Sequence, residues 1–168
     1  MEYMTEKRVL EAFSGECQAN RRYLFYAEKA DKEGYPQIAN LFRAVAEAEL
    51  VHARNHLNVI DAIGTTKDNL LGASMGERME FTDMYPIFIE IARKEHNDRA
   101  EQSFDWANKV EKIHYSYFED AYKDLKEGKK PTNETYYVCQ VCGNTVKGKA
   151  PDKCPICGAS AKAFKKVD

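Results

Sequence analysis

Glu49 and His52 lie three residues apart in AEAELVHARNH, residues 46–56, and Glu111 and His114 repeat that spacing 62 residues later. Residues i and i+3 are neighbours on a helix, so each pair presents a carboxylate oxygen and an imidazole nitrogen from one face. Carboxylate with imidazole, and no thiolate in the set, suits iron or manganese. Two such ions sharing carboxylates can each change by one electron and so deliver two electrons to an oxygen–oxygen bond. A second set stands near the C-terminus. Cys139-Gln-Val-Cys142-Gly and Cys154-Pro-Ile-Cys157-Gly are separated by 11 residues, and the fifth cysteine, Cys17, stands alone. Each glycine permits the turn in which backbone N–H groups face sulfur. Four thiolates in tetrahedral geometry hold one zinc or one iron, and the residue types alone do not choose between them.

Helices must position the first set. Residues 5–33 read as a helix with the stripe Val9, Phe13, Glu16, Asn20, Tyr23, Ala27 and Ala30, ended by Gly34. Pro36 opens a second, striped through Ile38, Phe42, Val45, Glu49, His52, His56, Val59 and Ile63. Residues 64–76 carry turn residues and read as a crossover loop. A third helix is expected over 76–95, with Glu77, Glu80, Met84, Ile87 and Ile91 on one face and Pro86 predicting a kink or bulge. The fourth spans 97–126 through Ala100, Phe104, Ala107, Glu111, His114, Phe118, Ala121 and Leu125. Helices two and four repeat at an offset of 62: Glu33 returns as Glu95, Phe42 as Phe104, Glu49 as Glu111 and His52 as His114. Four helices, each about 30–45 Å long at the usual rise, make a mainly α bundle.

The stripes aim Glu16, Glu49, Glu77, Glu80, Glu111, His52 and His114 at the bundle interior. A single Glu-x-x-His on a charged helix is ordinarily solvated surface. Two copies in matching register, with glutamates on the inward faces of the other helices, form the pattern of a dinuclear carboxylate site. An uncompensated carboxylate in a low-dielectric interior costs several kcal/mol. Two divalent cations carry four positive charges against these five glutamates. His56 aligns with Phe118 and reads as core or as support for a ligand; His96 sits at a helix junction and reads as a cap. Cys17 points about 100° away from Glu16 and reads as a buried structural thiol.

The remaining features bound the class. The 168 residues carry 25 basic and 27 acidic side chains, well mixed, which leaves no footprint for nucleic acid or an anionic membrane. MEYMTEKRVLEAF is charged from residue 2 and has no apolar run, so a soluble, cytoplasmic protein is expected. GKKPTNET, residues 128–135, reads as a linker, dividing the chain into a helical domain, 1–130, and a small metal domain, 131–168. The latter's apolar residues, Tyr137, Val146 and Phe164, are too few to fold it without metal.

In combination and order these motifs resemble the rubrerythrins. GECQANRRY, AEAELVHA, GERMEFTDMYP and VEKIH are similar to the family's four helical motifs, and YYVCQVCG with CPICG to its rubredoxin-like module. The resemblance implies a ferritin-like four-helix bundle followed by a rubredoxin-like domain. It implies an oxo- or hydroxo-bridged diiron pair held by Glu16, Glu49, His52, Glu77, Glu80, Glu111 and His114, and a mononuclear Fe(Cys)4 centre on Cys139, Cys142, Cys154 and Cys157. One iron would exchange Glu80, suited to the ferric ion, for His52, suited to the ferrous. Tyr23 and Tyr85 would donate hydrogen bonds near the site. The implied activity is peroxidase: reduction of hydrogen peroxide to water in oxidative-stress defence, with electrons from a small redox protein or flavoprotein linked to NAD(P)H. Family members are homodimers in which the iron–sulfur module of one subunit lies near the diiron site of its partner. The rival readings are a ferroxidase or iron-handling protein of the ferritin class, a zinc-ribbon interaction protein, and an oxygen-activating oxidase. Storage has no use for an electron-entry port such as the four-cysteine module.

Overall fold

The computed structural model describes residues 3–130 and 132–167. The domain boundary expected after residue 130 falls against residue 131, which with residues 1, 2 and 168 lies outside the described residues. The chain divides into two compact units, the first ending at Gly64 and the second beginning at Thr65.

The first unit is a helical hairpin of α1 (Tyr3–Lys32) and α2 (Pro36–Val59). Its turn follows from Gly34. With φ at +82°, Gly34 lets the Tyr35 N–H reach the Ala30 carbonyl at 2.9 Å while its own N–H reaches Asp31 at 3.1 Å, the two bonds that close a left-handed helix end. Pro36 then starts α2 where a missing N–H does no harm. The fully buried residues are small: Ala27 and Ala30 on α1, and Ala39, Ala46 and Ala53 at seven-residue spacing on α2. Ala27 and Ala30 lie on the stripe read from sequence, whereas the three α2 alanines stand one step beside theirs, because alanine lets two helix backbones come close while Phe42 and Val45 flank the contact. Asn20 satisfies itself within this seam by donating to the Ala46 carbonyl at 2.7 Å.

The second unit opens with α3 (Thr66–Met79), so the crossover loop expected over 64–76 is helical from residue 66 onward. A capping box explains the early start. Thr65 Oγ1 accepts the Asp68 N–H at 3.3 Å, and the Asp68 carboxylate accepts the Thr65 N–H at 3.1 Å. Gly72 and Gly76, which suggested a loop, sit in the helix. A π-helical turn, Glu80–Met84, joins α3 to α4 (Tyr85–Lys94), and α5 (Asp98–Lys126) returns alongside. Here the disturbance expected from Pro86 takes definite form: the Tyr85 N–H bonds to the Glu80 carbonyl, five residues back. The extra residue shows in the numbering, since Glu16 and Glu77 are 61 apart but Tyr23 and Tyr85 are 62 apart.

Each unit carries an aromatic cluster at that same offset. Tyr26 packs edge-on to Phe42 at 5.5 Å, with Tyr23 6.2 Å from both. Phe88 lies 5.6 Å from Phe104, with Tyr85 at 6.2 and 6.3 Å. The C-terminal module is a three-stranded antiparallel sheet of β1 (Tyr136–Cys139), β2 (Thr145–Lys147) and β3 (Phe164–Val167), ordered β2-β1-β3. Among the described residues no helix is long and apolar enough to cross a membrane.

Candidate metal centres

The expected donors fall into three groups, each able to present one ligand atom per residue, all within 4.8 Å of one another: Glu16, Glu49 and His52; Glu77, Glu111 and His114; and the four cysteines. In the first unit α2 places Glu49 Oε2 2.9 Å from His52 Nδ1, and α1 brings Glu16 into range. His56, read as core or support, lies with Nε2 3.9 Å from Glu16 Oε1. Cys17 is half-buried and outside the group.

In the second unit α5 places Glu111 Oε2 2.7 Å from His114 Nδ1, and Glu77 Oε1 on α3 is 3.9 Å from the same nitrogen. Glu80 stands outside this tight group. The crowding has an electrostatic signature. Burial, then the charge of Glu111 and a hydrogen bond to it, push the Glu77 carboxyl up to about 7. Burial and the Glu111 charge also raise Glu80. The hydrogen bond to Glu111 raises His114 against the opposing effect of burial. Burial, then the charges of Glu80, Glu111 and Glu77, raise Tyr85, which places its phenol within the field of these carboxylates. Tyr23, like Tyr85, packs in its unit's aromatic cluster, here with Tyr26 and Phe42. Acids that hold protons this tightly, beside an imidazole nitrogen, are a donor set suited to a cation of carboxylate-and-imidazole preference.

The four-cysteine site is built from two matching knuckles. Gly143 N–H bonds to the Cys139 carbonyl and Gly158 N–H to the Cys154 carbonyl, each at 2.9 Å, and both glycines have φ near +80°. Sγ atoms of Cys139 and Cys157 are 3.7 Å apart, and those of Cys142 and Cys154 3.6 Å. A tetrahedron with metal–sulfur bonds of about 2.3 Å has edges of about 3.8 Å, so a metal fits. Burial alone would raise the Cys154 thiol, but backbone N–H groups of Cys157 and Ile156 aimed at its sulfur bring it down to about 7. Burial raises Cys142 and Cys157.

The module touches α5 within its own chain. His114 Nε2 is 2.9 Å from Thr145 Oγ1 on β2, and Tyr117 OH donates to the Thr145 carbonyl at 3.3 Å. Within the chain the module thus reaches a histidine of the carboxylate group. Sequence reasoning missed Thr145, and nothing in the local sequence signals a contact 31 residues away. It also missed Tyr26 and Phe88, which the offset of 62 would have found.

Comparison with known proteins agrees with this geometry. The rubrerythrin family profile matches residues 7–122, and that of the rubrerythrin rubredoxin-like domain matches residues 137–165. Rubrerythrin-2 of Clostridium acetobutylicum is 38% identical over 96% of this chain and 95% of its own length. Rubrerythrin of Porphyromonas gingivalis is 37% identical over 91% and 84%. Fully reduced, all-ferrous nigerythrin superimposes with a TM-score of 0.58 at 31% identity, covering 97% of this chain and 86% of that one. The chain therefore belongs to the rubrerythrin family, oxidoreductases of oxidative stress with a ferritin-like four-helix fold, and its cofactors are a dinuclear non-haem iron pair and a mononuclear Fe(Cys)4 centre.

Proposed function

We propose that this chain is a peroxidase that reduces hydrogen peroxide to water, with electrons entering through the four-cysteine module. One observation carries the reading: two Glu-x-x-His half-sites and a metal-sized thiolate tetrahedron share one chain, and the module abuts His114. When bound, the diferrous pair supplies the two electrons that, with two protons, convert hydrogen peroxide to two waters, and Fe(Cys)4 restores them singly.

In this reading Glu16, Glu49, Glu77, Glu111 and His114 are constant ligands of the pair, and Glu80 and His52 are exchanged with oxidation state. His52 suits that role because its side chain is 54% exposed, against 26% for His114. Glu80 suits it because it stands outside the tight group in the π-helical turn. Tyr85, in the field of three glutamates, keeps its proton and can donate it in a hydrogen bond to a ligand or to peroxide. Tyr23, its counterpart in the first unit, is assigned the same role. Cys139, Cys142, Cys154 and Cys157 hold the single iron in a domain of residues 131–168, joined to the bundle domain of 1–130. The reading also takes the protein as a cytoplasmic homodimer served by a small redox protein or flavoprotein linked to NAD(P)H.

Anaerobically reduced protein mixed with hydrogen peroxide tests it. Reoxidation should consume one peroxide per iron pair, and Cys142→Ser should block re-reduction while sparing that single turnover. Faster reaction with dioxygen and a growing mineral core would favour the ferroxidase reading instead.

A further inference from the structure

Thr145 Oγ1 lies 3.2 Å from the Gly143 carbonyl, to which it donates, and 2.9 Å from His114 Nε2. A hydroxyl has one proton and two lone pairs. With its proton committed to Gly143, the oxygen can only accept from the imidazole, so Nε2 carries the hydrogen. In this structure His114 Nδ1 also carries a hydrogen, donated to Glu111 Oε2 at 2.7 Å with Glu77 Oε1 at 3.9 Å, and it is this proton that a metal would displace. A histidine whose far nitrogen is hydrogen-bonded is fixed in ring orientation and tautomer, which strengthens it as a ligand.

Two further contacts hold β2 in place to do this. Tyr117 OH donates to the Thr145 carbonyl, and Lys147 Nζ lies 4.3 Å over the Tyr117 ring. Gly143 directly follows Cys142. A continuous hydrogen-bonded path, Gly143 carbonyl to Thr145 hydroxyl to His114 imidazole, therefore joins the cysteine knuckle to the carboxylate group.

We propose that Thr145 is a positioning residue that keeps the hydrogen on His114 Nε2, so that Nδ1 is the nitrogen that exchanges its proton for metal, and that it does so from the four-cysteine module of the same chain. The inference rests on the metal-site reading above but not on the peroxidase activity.

The test uses full-length protein with Fe(Cys)4 intact and zinc titrated into the emptied bundle site as a diamagnetic probe. Zinc affinity and the nitrogen NMR signals of His114 are read together. Thr145→Val should weaken zinc binding about 10–100-fold and abolish the protected Nε2–H signal. Thr145→Ser should restore both, and the visible spectrum of Fe(Cys)4 should be unchanged throughout. Wild-type affinity with an intact Nε2–H signal in Thr145→Val would overturn the proposal, as would a Thr145→Ser protein as weak as Thr145→Val. Should Thr145→Val fail to fold, Thr145→Ala against Thr145→Ser makes the same comparison. Peroxide inertness would overturn the function above and leave these readouts standing.

Discussion

The two helical hairpins, α1 with α2 and α3–α4 with α5, are variations on one plan. At an offset of 62 residues Tyr23, Tyr26 and Phe42 return as Tyr85, Phe88 and Phe104, with ring separations that agree within 0.1 Å. Gly34 returns as His96, and both take positive φ in turns closed by the same pair of backbone bonds. What differs is concentrated at the carboxylates. The second hairpin has the π-helical turn, the additional Glu80, and a histidine held at both ring nitrogens. The first has an α1 that runs as continuous α-helix and an exposed His52. A duplicated frame needs the same rings and turns in each half, whereas exchanging one ligand for another needs the halves to be unequal.

The sharpest way to break the comparison is to remove each histidine in turn. His114→Ala should cost one of the two bundle irons outright. His52→Ala should retain both in the oxidised protein and weaken only the reduced state, by roughly 10–100-fold. Iron analysis on each oxidation state measures this, and equal losses would erase the asymmetry. The aromatic clusters should behave alike: Phe42→Ala and Phe104→Ala each remove a half-buried ring and should cost about 2–3 kcal/mol in urea unfolding, less than a fully buried phenylalanine.

A pH effect separates the halves next. In the metal-free chain Glu77 is raised to about 7 from 4.5, so the folded state binds its proton more tightly than the unfolded state. That contribution is fully present below the unfolded value and is lost as pH rises through about 7. Discounted for the water around a partly exposed side chain, the loss is about 1–2 kcal/mol, and Glu77→Gln should flatten the stability–pH curve. The smallest effect concerns the turns. His96 at φ +53° occupies a conformation that suits glycine, so His96→Gly should raise stability by about 0.5–1 kcal/mol in thermal melts, whereas Gly34→Ala should lower it.

Much of this was legible because the chemistry is spaced locally. Glu49 with His52, Glu111 with His114, and each Cys-x-x-Cys pair are set by one turn of backbone, and Pro86 announced the irregularity now seen as a π-helical turn. The first half of α3 was lost to Gly72 and Gly76, although Thr65 and Asp68 carried its capping box in plain view. Ala39, Ala46 and Ala53 gave too weak an apolar signal to be recognised as the seam of the first hairpin. The contact of Thr145 with His114 is a product of tertiary packing, and no periodicity encodes it.

That seam has a mechanical corollary. Ala39 and Ala46 expose at most 1% of their surface, and a methyl group has no rotamers to rearrange. The hairpin is consequently tolerant of shrinkage and hostile to growth. A glycine at Ala46 forfeits only helix propensity, on the order of 1 kcal/mol, while a valine would act as a wedge driven between α1 and α2. Spacing between Glu16 and Glu49 is thus governed from a site that bears no charge and touches no iron.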